Sequence, residues 1–220
     1  IDVGTYVENA KQVVEEKLKL PEGYNLIWSG QYEYMERAKA RLKIILPLTL
    51  FIIFLLLYLN FRNITESLII MFSLPFALVG GIWYLYYLKY ELSVAVAVGF
   101  IALAGVAAET GVLVLIFIDH AYRKKMSSGG IANKEELREI VIEGSLERVR
   151  PKLMTVTAII GGLLPIMWGS GTGSEVMKRI AAPMVGGMVS ATISTLILIP
   201  AVYALVLEHR LKKSGKTIPK

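Results

Sequence analysis

Residues 92–118 read LSVAVAVGFIALAGVAAETGVLVLIFI, and Glu109 is the one charge in these 27 residues. Coiled into a helix that rises about 1.5 Å per residue, the run is roughly 40 Å long, more than the hydrocarbon core of about 30 Å requires. Four further stretches, Ile44–Phe61, Ser67–Leu88, Leu153–Ser174 and Ile180–Leu207, contain no charged residue. Together the five cover 117 of the 220 residues. The fold class that follows is an all-α polytopic membrane protein, with spans at about 42–61, 67–88, 92–118, 152–168 and 180–207. A soluble globular domain, a disordered chain and a nucleic-acid-binding domain are excluded. The net charge of +6 therefore reads as loops facing anionic lipid. Cysteine is absent, which removes disulfides, iron–sulfur centres and thiolate zinc sites.

The ends and links carry the polar residues. Residues 1–41 are expected to be a small α/β piece outside the membrane. Thr5 and Glu8 have capping-box spacing, and Val7, Ala10, Val13, Val14 and Leu18 follow at helical spacing. Pro21, Glu22 and Gly23 signal a turn, and Tyr24–Trp28 reads as a short strand. One helix and one strand cannot enclose a core, so this piece is expected to pack on sequence outside the chain, as part of something longer. Residues 119–150 read as a long polar loop, with Asn133 and Glu136 able to cap an amphipathic helix that carries Leu137, Ile140, Val141 and Val149. Residues 208–220 form a basic tail. The link at 62–66, the long loop and the tail hold far more Lys and Arg than the links on the opposite side, which places them in the cytoplasm. Residues 1–41 then lie outside. Trp83, Tyr84, Tyr86 and Tyr87 crowd the outer end of the second span like an interfacial belt.

Glu109 lies ten residues before Asp119, roughly 15 Å deeper along a helix and near mid-membrane. Placing an acid there costs roughly 2.5–3.5 kcal/mol on insertion scales. Two readings follow: a proton relay or coupling-ion site, or a protonated structural carboxyl. Lys152, at the cytoplasmic start of the fourth span, is either a cation that snorkels to the interface or a charge partner for Glu109. Met154, Met167, Met177, Met184 and Met188 cluster in the last third. Thioethers suit soft ions and equally fill apolar gaps. Met177 is the candidate metal residue, because it follows a Gly/Ser turn on the outer side. His120 and His209 read as interfacial. Pro47, Pro75, Pro165, Pro183 and Pro200 lie within spans, and Gly80-Gly81, Gly161-Gly162 and Gly186-Gly187 permit close helix approach. GSGTG at 169–173 lacks the lysine of a phosphate-binding loop, so an ATPase is not supported.

These residues resemble the resistance-nodulation-division (RND) efflux transporters, in their heavy-metal branch. The matching stretches run in family order: WSGQ at 28–31, YMERA at 34–38, LLLY at 55–58, SLPF at 73–76, GVAAETG at 105–111, VRPKLMT at 149–155, GLLP at 162–165, GSEVM at 173–177 and IAAPM at 180–184. The resemblance implies the C-terminal end of a twelve-helix inner-membrane subunit, its last five helices preceded by the end of a periplasmic region. It implies a secondary transporter, not an enzyme, which exports heavy-metal ions in exchange for protons. It needs no cofactor beyond the transported ion and protons. Partners are then a homotrimer, a periplasmic adaptor and an outer-membrane channel. Glu109 and Lys152 would be the proton relay, and Met177 part of a methionine path for Cu(I) or Ag(I). The multidrug branch carries a lysine where Glu109 stands. Alternatives are a multidrug or lipid exporter of the same superfamily and a truncated scaffold that transports nothing. An intramembrane protease lacks a second acid within the spans.

Overall fold

The computed structural model describes residues 3–18, 21, 23–128, 131 and 133–213. Seven α-helices and one π-helical turn make up its regular structure: α1 (Val3–Lys17), α2 (Gln31–Phe61), α3 (Ile64–Leu88), α4 (Val94–Ser127), α5 (Lys134–Trp168), α6 (Ser174–Ile193), the π turn Ser194–Leu198 and α7 (Ile199–Lys213). α6, the π turn and α7 form one rod, so five helical rods are long and apolar enough to cross a membrane.

The short links follow from local chemistry. α2 stops at Arg62, which turns left-handed (φ 51°) and donates its N–H to the Tyr58 carbonyl. Asn63 then caps α3: its side-chain oxygen accepts from the Thr65 N–H at 3.1 Å. Ser93 caps α4 the same way, accepting from Val96. Between α5 and α6 the chain turns at Gly171 and Gly173, both at positive φ, where a side chain is disfavoured.

α6 is the hub, packed against α3, α4 and α5. α2 leans mainly on α3 and is almost wholly exposed. Glycines set how closely α3 and α6 approach. A Cβ built on Gly186 would lie 2.6 Å from the Gly80 carbonyl oxygen and would also overlap the Cβ of Tyr84. Ser190 ties the same seam: it accepts from the Gly80 N–H at 3.0 Å and donates to the Ala77 carbonyl at 2.6 Å. Leu103 of α4 fills the space over Gly187. Gly161 and Gly162 of α5 have nothing within 4 Å of a built Cβ.

Several expectations change. The segment Tyr24–Trp28 is not a strand, and the described residues contain none. A strand needs a neighbour for its backbone hydrogen bonds, and nothing in this part of the chain supplies one. α1 begins at Val3, so Thr5 sits inside its first turn and is not the cap. Glu22 and residues 214–220 lie outside the described residues. The expected long loop at 119–150 is largely helical. α4 continues to Ser127, and α5 starts at Lys134 and runs through Pro151 without a break. Asn133 makes no side-chain cap bond, and Glu136 instead pairs with Lys125 at 2.7 Å. The α5 extension is helical because Leu137 and Val141 join the core cluster of Ile118, Tyr203 and Leu207. Gly144 lets it press onto the α4 backbone at Ile118.

That end of the bundle is tied by polar contacts from four segments far apart in sequence. Glu66 is only 3% exposed and accepts from Arg210 at 3.2 Å and from Asn63 at 2.8 Å. Tyr203 donates to Asp119 at 3.1 Å, and Lys134 pairs with Glu208 at 2.6 Å. At the opposite end the Arg179 guanidinium lies over the Tyr90 ring, and Trp83, Tyr86 and Tyr87 are exposed.

Gly186→Ala should force α3 and α6 apart, with a loss of about 1–3 kcal/mol as in other overpacked cores. Gly162→Ala should be nearly neutral. Thermal unfolding of the two purified variants in detergent separates them; equal behaviour would show that the α3–α6 seam does not limit stability.

Candidate functional site

Glu109 sits close to the middle of α4, fifteen residues after its start at Val94. Its neighbours along the helix are small or apolar, and Gly105, one turn before it, faces open space. The Glu109 side chain is exposed in the described chain. Mid-membrane, such a face has to meet protein or enclosed water, since hydrocarbon offers a carboxyl no partner.

Lys152 is where α5 answers it. Although Lys152 follows the basic run at Arg148 and Arg150, it is 5% exposed. Its ammonium turns toward α4 and donates to the Thr110 hydroxyl at 2.9 Å. Thr110 in turn donates to the Val106 carbonyl at 2.7 Å. A threonine hydroxyl has a single proton. With that proton on Val106, its free lone pairs point to Lys152, which fixes the direction of the bond. Lys152 thus turns inward, and the partner it reaches is Thr110.

Glu109, Thr110 and Lys152 line one cavity of about 80 Å³, together with Val106, Leu113, Val114, Arg148, Pro151 and Thr155. This is room for a few water molecules. Glu109 and Lys152 both line it, and no ion pair within 4.0 Å closes between them among the described residues. The two side chains therefore share a small space whose lining is mainly apolar.

Three contributors were not singled out from sequence. Thr110 lies within the GVAAETG stretch, but its role depends on which way Lys152 points. Arg148, one turn before Lys152, stacks on the Phe117 ring at 3.9 Å, and its buried Nε has no hydrogen-bond partner. The third is the π turn Ser194–Leu198, packed against α3 and α4. Here the Ile199 N–H reaches back to the Ser194 carbonyl, the wider spacing of a π-helix. Pro200 was the available signal, because its ring crowds the carbonyl four residues earlier and the wider turn relieves that. Ser194 Oγ is buried there without a partner.

The other sequence candidates lie apart. Met177 is 53% exposed in the first turn of α6. Met188, three turns further on, is buried against Leu103 and Val156, with Met184 beside it. Met167 packs on the cluster of Leu85, Val96 and Ala182, and Met154 is exposed. These three buried or half-buried methionines fill apolar gaps. Among the described residues no group of three or more His, Asp or Glu side chains could hold a metal.

Comparison with known proteins follows the same residues. The family model described as AcrB/AcrD/AcrF matches residues 2–207. The chain is 51% identical over 215 residues to the cation efflux system protein SilA of Salmonella typhimurium, covering 97% of the chain and 20% of that protein. It is 50% identical over 211 residues to the cation efflux system protein CusA of Escherichia coli K12. It is 37% identical over 209 residues to the cobalt-zinc-cadmium resistance protein CzcA of Cupriavidus metallidurans. A crystal structure of a heavy-metal efflux pump superposes with a TM-score of 0.77 at 34% identity, over 94% of this chain and 20% of that one. The chain thus spans about a fifth of the length of the relatives it matches.

Thr110→Val keeps the shape of the side chain and removes the acceptor for Lys152. Leaving a buried ammonium without that bond should cost about 1.5–3 kcal/mol. Thermal unfolding in detergent should show the loss, while Thr49→Val, on an exposed position of α2, should show almost none.

Proposed function

The chain belongs to the AcrB/AcrD/AcrF family, in its heavy-metal efflux branch, and from that premise we propose that it forms part of a proton-driven exporter of soft metal ions. The observation that carries the reading is the shared cavity of Glu109, Thr110 and Lys152. A mid-membrane acid opposite a buried lysine is expensive to insert and useful for moving protons. Its position mid-helix, with no chemistry-bearing nucleophile or metal ligand set beside it, suits a relay between two sides of a membrane.

The relay works through charge. With Glu109 ionised, the Lys152 ammonium is drawn across the cavity toward it. A proton arriving from the outer side binds the Glu109 carboxylate and cancels that attraction. Lys152 then rests on Thr110 alone, and α5 is freed to shift against α4. When the proton leaves toward the cytoplasm, the attraction returns. One proton enters per cycle of the acid, and the metal ion leaves by a periplasmic route built from parts of the subunit beyond this segment. The basic end of the bundle, with Arg123, Lys124, Lys125, Lys134 and Arg210, faces the cytoplasm of the bacterial inner membrane.

Cu(I) or Ag(I) is the substrate that methionine ligands favour, and Met177, exposed on the outer turn of α6, is the residue of this segment that would meet it. The nearly bare α2 gives the subunit surface for lipid or for further helices. Assembly as a trimer with a periplasmic adaptor and an outer-membrane channel is part of the same proposal, drawn from the family.

In the full subunit that carries this segment, Glu109→Gln should abolish resistance to silver while expression and membrane insertion stay normal. Full resistance in that variant would overturn the relay. Met177→Ile should lower silver or copper resistance severalfold and leave any non-metal substrate untouched; equal losses would assign Met177 to packing.

A further inference from the structure

Below Glu109 the structure contains a second, much larger space. Between the extensions of α4 and α5 lies an open-sided cleft of about 590 Å³. Its floor is Ile116, Phe117, Ala121 and Ile140, and its polar wall includes His120, Lys124, Lys125, Ser128, Glu143 and Glu147. Acids and bases of both signs line it, so it attracts neither an anion nor a cation strongly and suits water. Lys125 is drawn to Glu136 at one edge. Glu143 and Glu147 are one turn apart on α5 and face the α4 side chains across the gap.

The cleft and the Glu109 cavity nearly meet. The cavity reaches down α4 to Leu113 and Val114, and the cleft reaches up to Ile116 and Phe117. Ile116 lies two residues beyond Val114, about 3 Å of helix rise. One stacked pair bridges the two linings: Phe117 lines the cleft, Arg148 lines the cavity, and the guanidinium lies 3.9 Å from the ring centroid.

Resting on the relay reading above, we propose that this cleft is the aqueous port through which protons leave Glu109 for the cytoplasm, closed on the site side by Phe117. The proton on the Glu109 carboxyl passes to water in the small cavity as Phe117 swings aside. It is then taken by His120 or by the carboxylates of Glu143 and Glu147, and goes from them to bulk water. Each step transfers one proton and breaks or forms no other bond. The guanidinium over the ring holds Phe117 closed and repels a free hydronium while it does so. Moving α5 against α4, the motion that Lys152 controls, separates the stacked pair because each partner rides on a different helix.

The absence of cysteine in this segment permits a direct test in the full subunit, with any cysteines elsewhere replaced. Single cysteines at Glu143, Glu147 and Leu113 are challenged with a membrane-impermeant maleimide from the cytoplasmic face, and Phe72→Cys, on the exposed face of α3, is the lipid-facing control. Positions 143 and 147 should label at least tenfold faster than position 72. Leu113→Cys should stay unlabelled in the parent and gain at least tenfold in Phe117→Ala, with a smaller gain in Phe117→Leu, which preserves more bulk. In liposomes containing a pH-sensitive dye, Phe117→Ala should raise proton leak severalfold without added silver. Unlabelled cleft positions would mean that other parts of the subunit fill the space, and would overturn the port. So would labelling of Leu113→Cys or a leak that ignores Phe117. Labelling requires no transport, so failure of the port and failure of the Glu109 relay are read separately.

Discussion

A charged amine in the interior of an apolar bundle has to find its partner on a neighbouring helix, and the bond from Lys152 to Thr110 meets that requirement. Hydrocarbon supplies no water to solvate the ammonium, so α5 can lie on α4 only in a register that brings Lys152 to the level of Thr110. The same register puts Glu109 and Lys152 on one cavity. A one-residue slip of either helix would strand a charge.

Packing holds that register from both ends. The α3–α6 seam is set by Gly80 and Gly186, whose backbones approach too closely for side chains, and α6 carries α4 and α5 on its other faces. At the basic end Glu66 of α3 binds Arg210 of α7, Asp119 of α4 accepts from Tyr203 of α7, and Glu208 of α7 binds Lys134 of α5. These ties anchor α7 firmly. The π turn at Ser194–Leu198 lies between that anchored half and α6, beside α4. Its wider backbone spacing is the one irregularity in the longest rod among the described residues, and it sits against the helix that bears Glu109.

Much of this was legible in the chain. Uninterrupted apolar runs of about twenty residues admit one structure in a bilayer, so all five rods were readable, as were the links at 62–66, 89–91 and 169–173. The position of Glu109 as an isolated acid was equally plain. The helical extension of α5 was only half legible. Leu137, Ile140 and Val141 recur at helical spacing, but the charges between them look like loop until α4 and α7 provide a surface to cover. Tyr24–Trp28 alternates like a strand and forms none, because pairing is a property of two segments. Glu66 gave no signal of burial, since its partner Arg210 is 144 residues away.

Sequence alone determined that the chain lies in a membrane, how many times its helices can cross, and where the costly acid falls, because hydrophobicity and helix rise are local quantities. The tertiary structure decided which way Lys152 points, that Thr110 receives it, that Arg148 stacks on Phe117, and that the basic end is tied by ion pairs and hydrogen bonds around the buried Glu66. Each of those depends on a distance between helices, and no single helix contains that information.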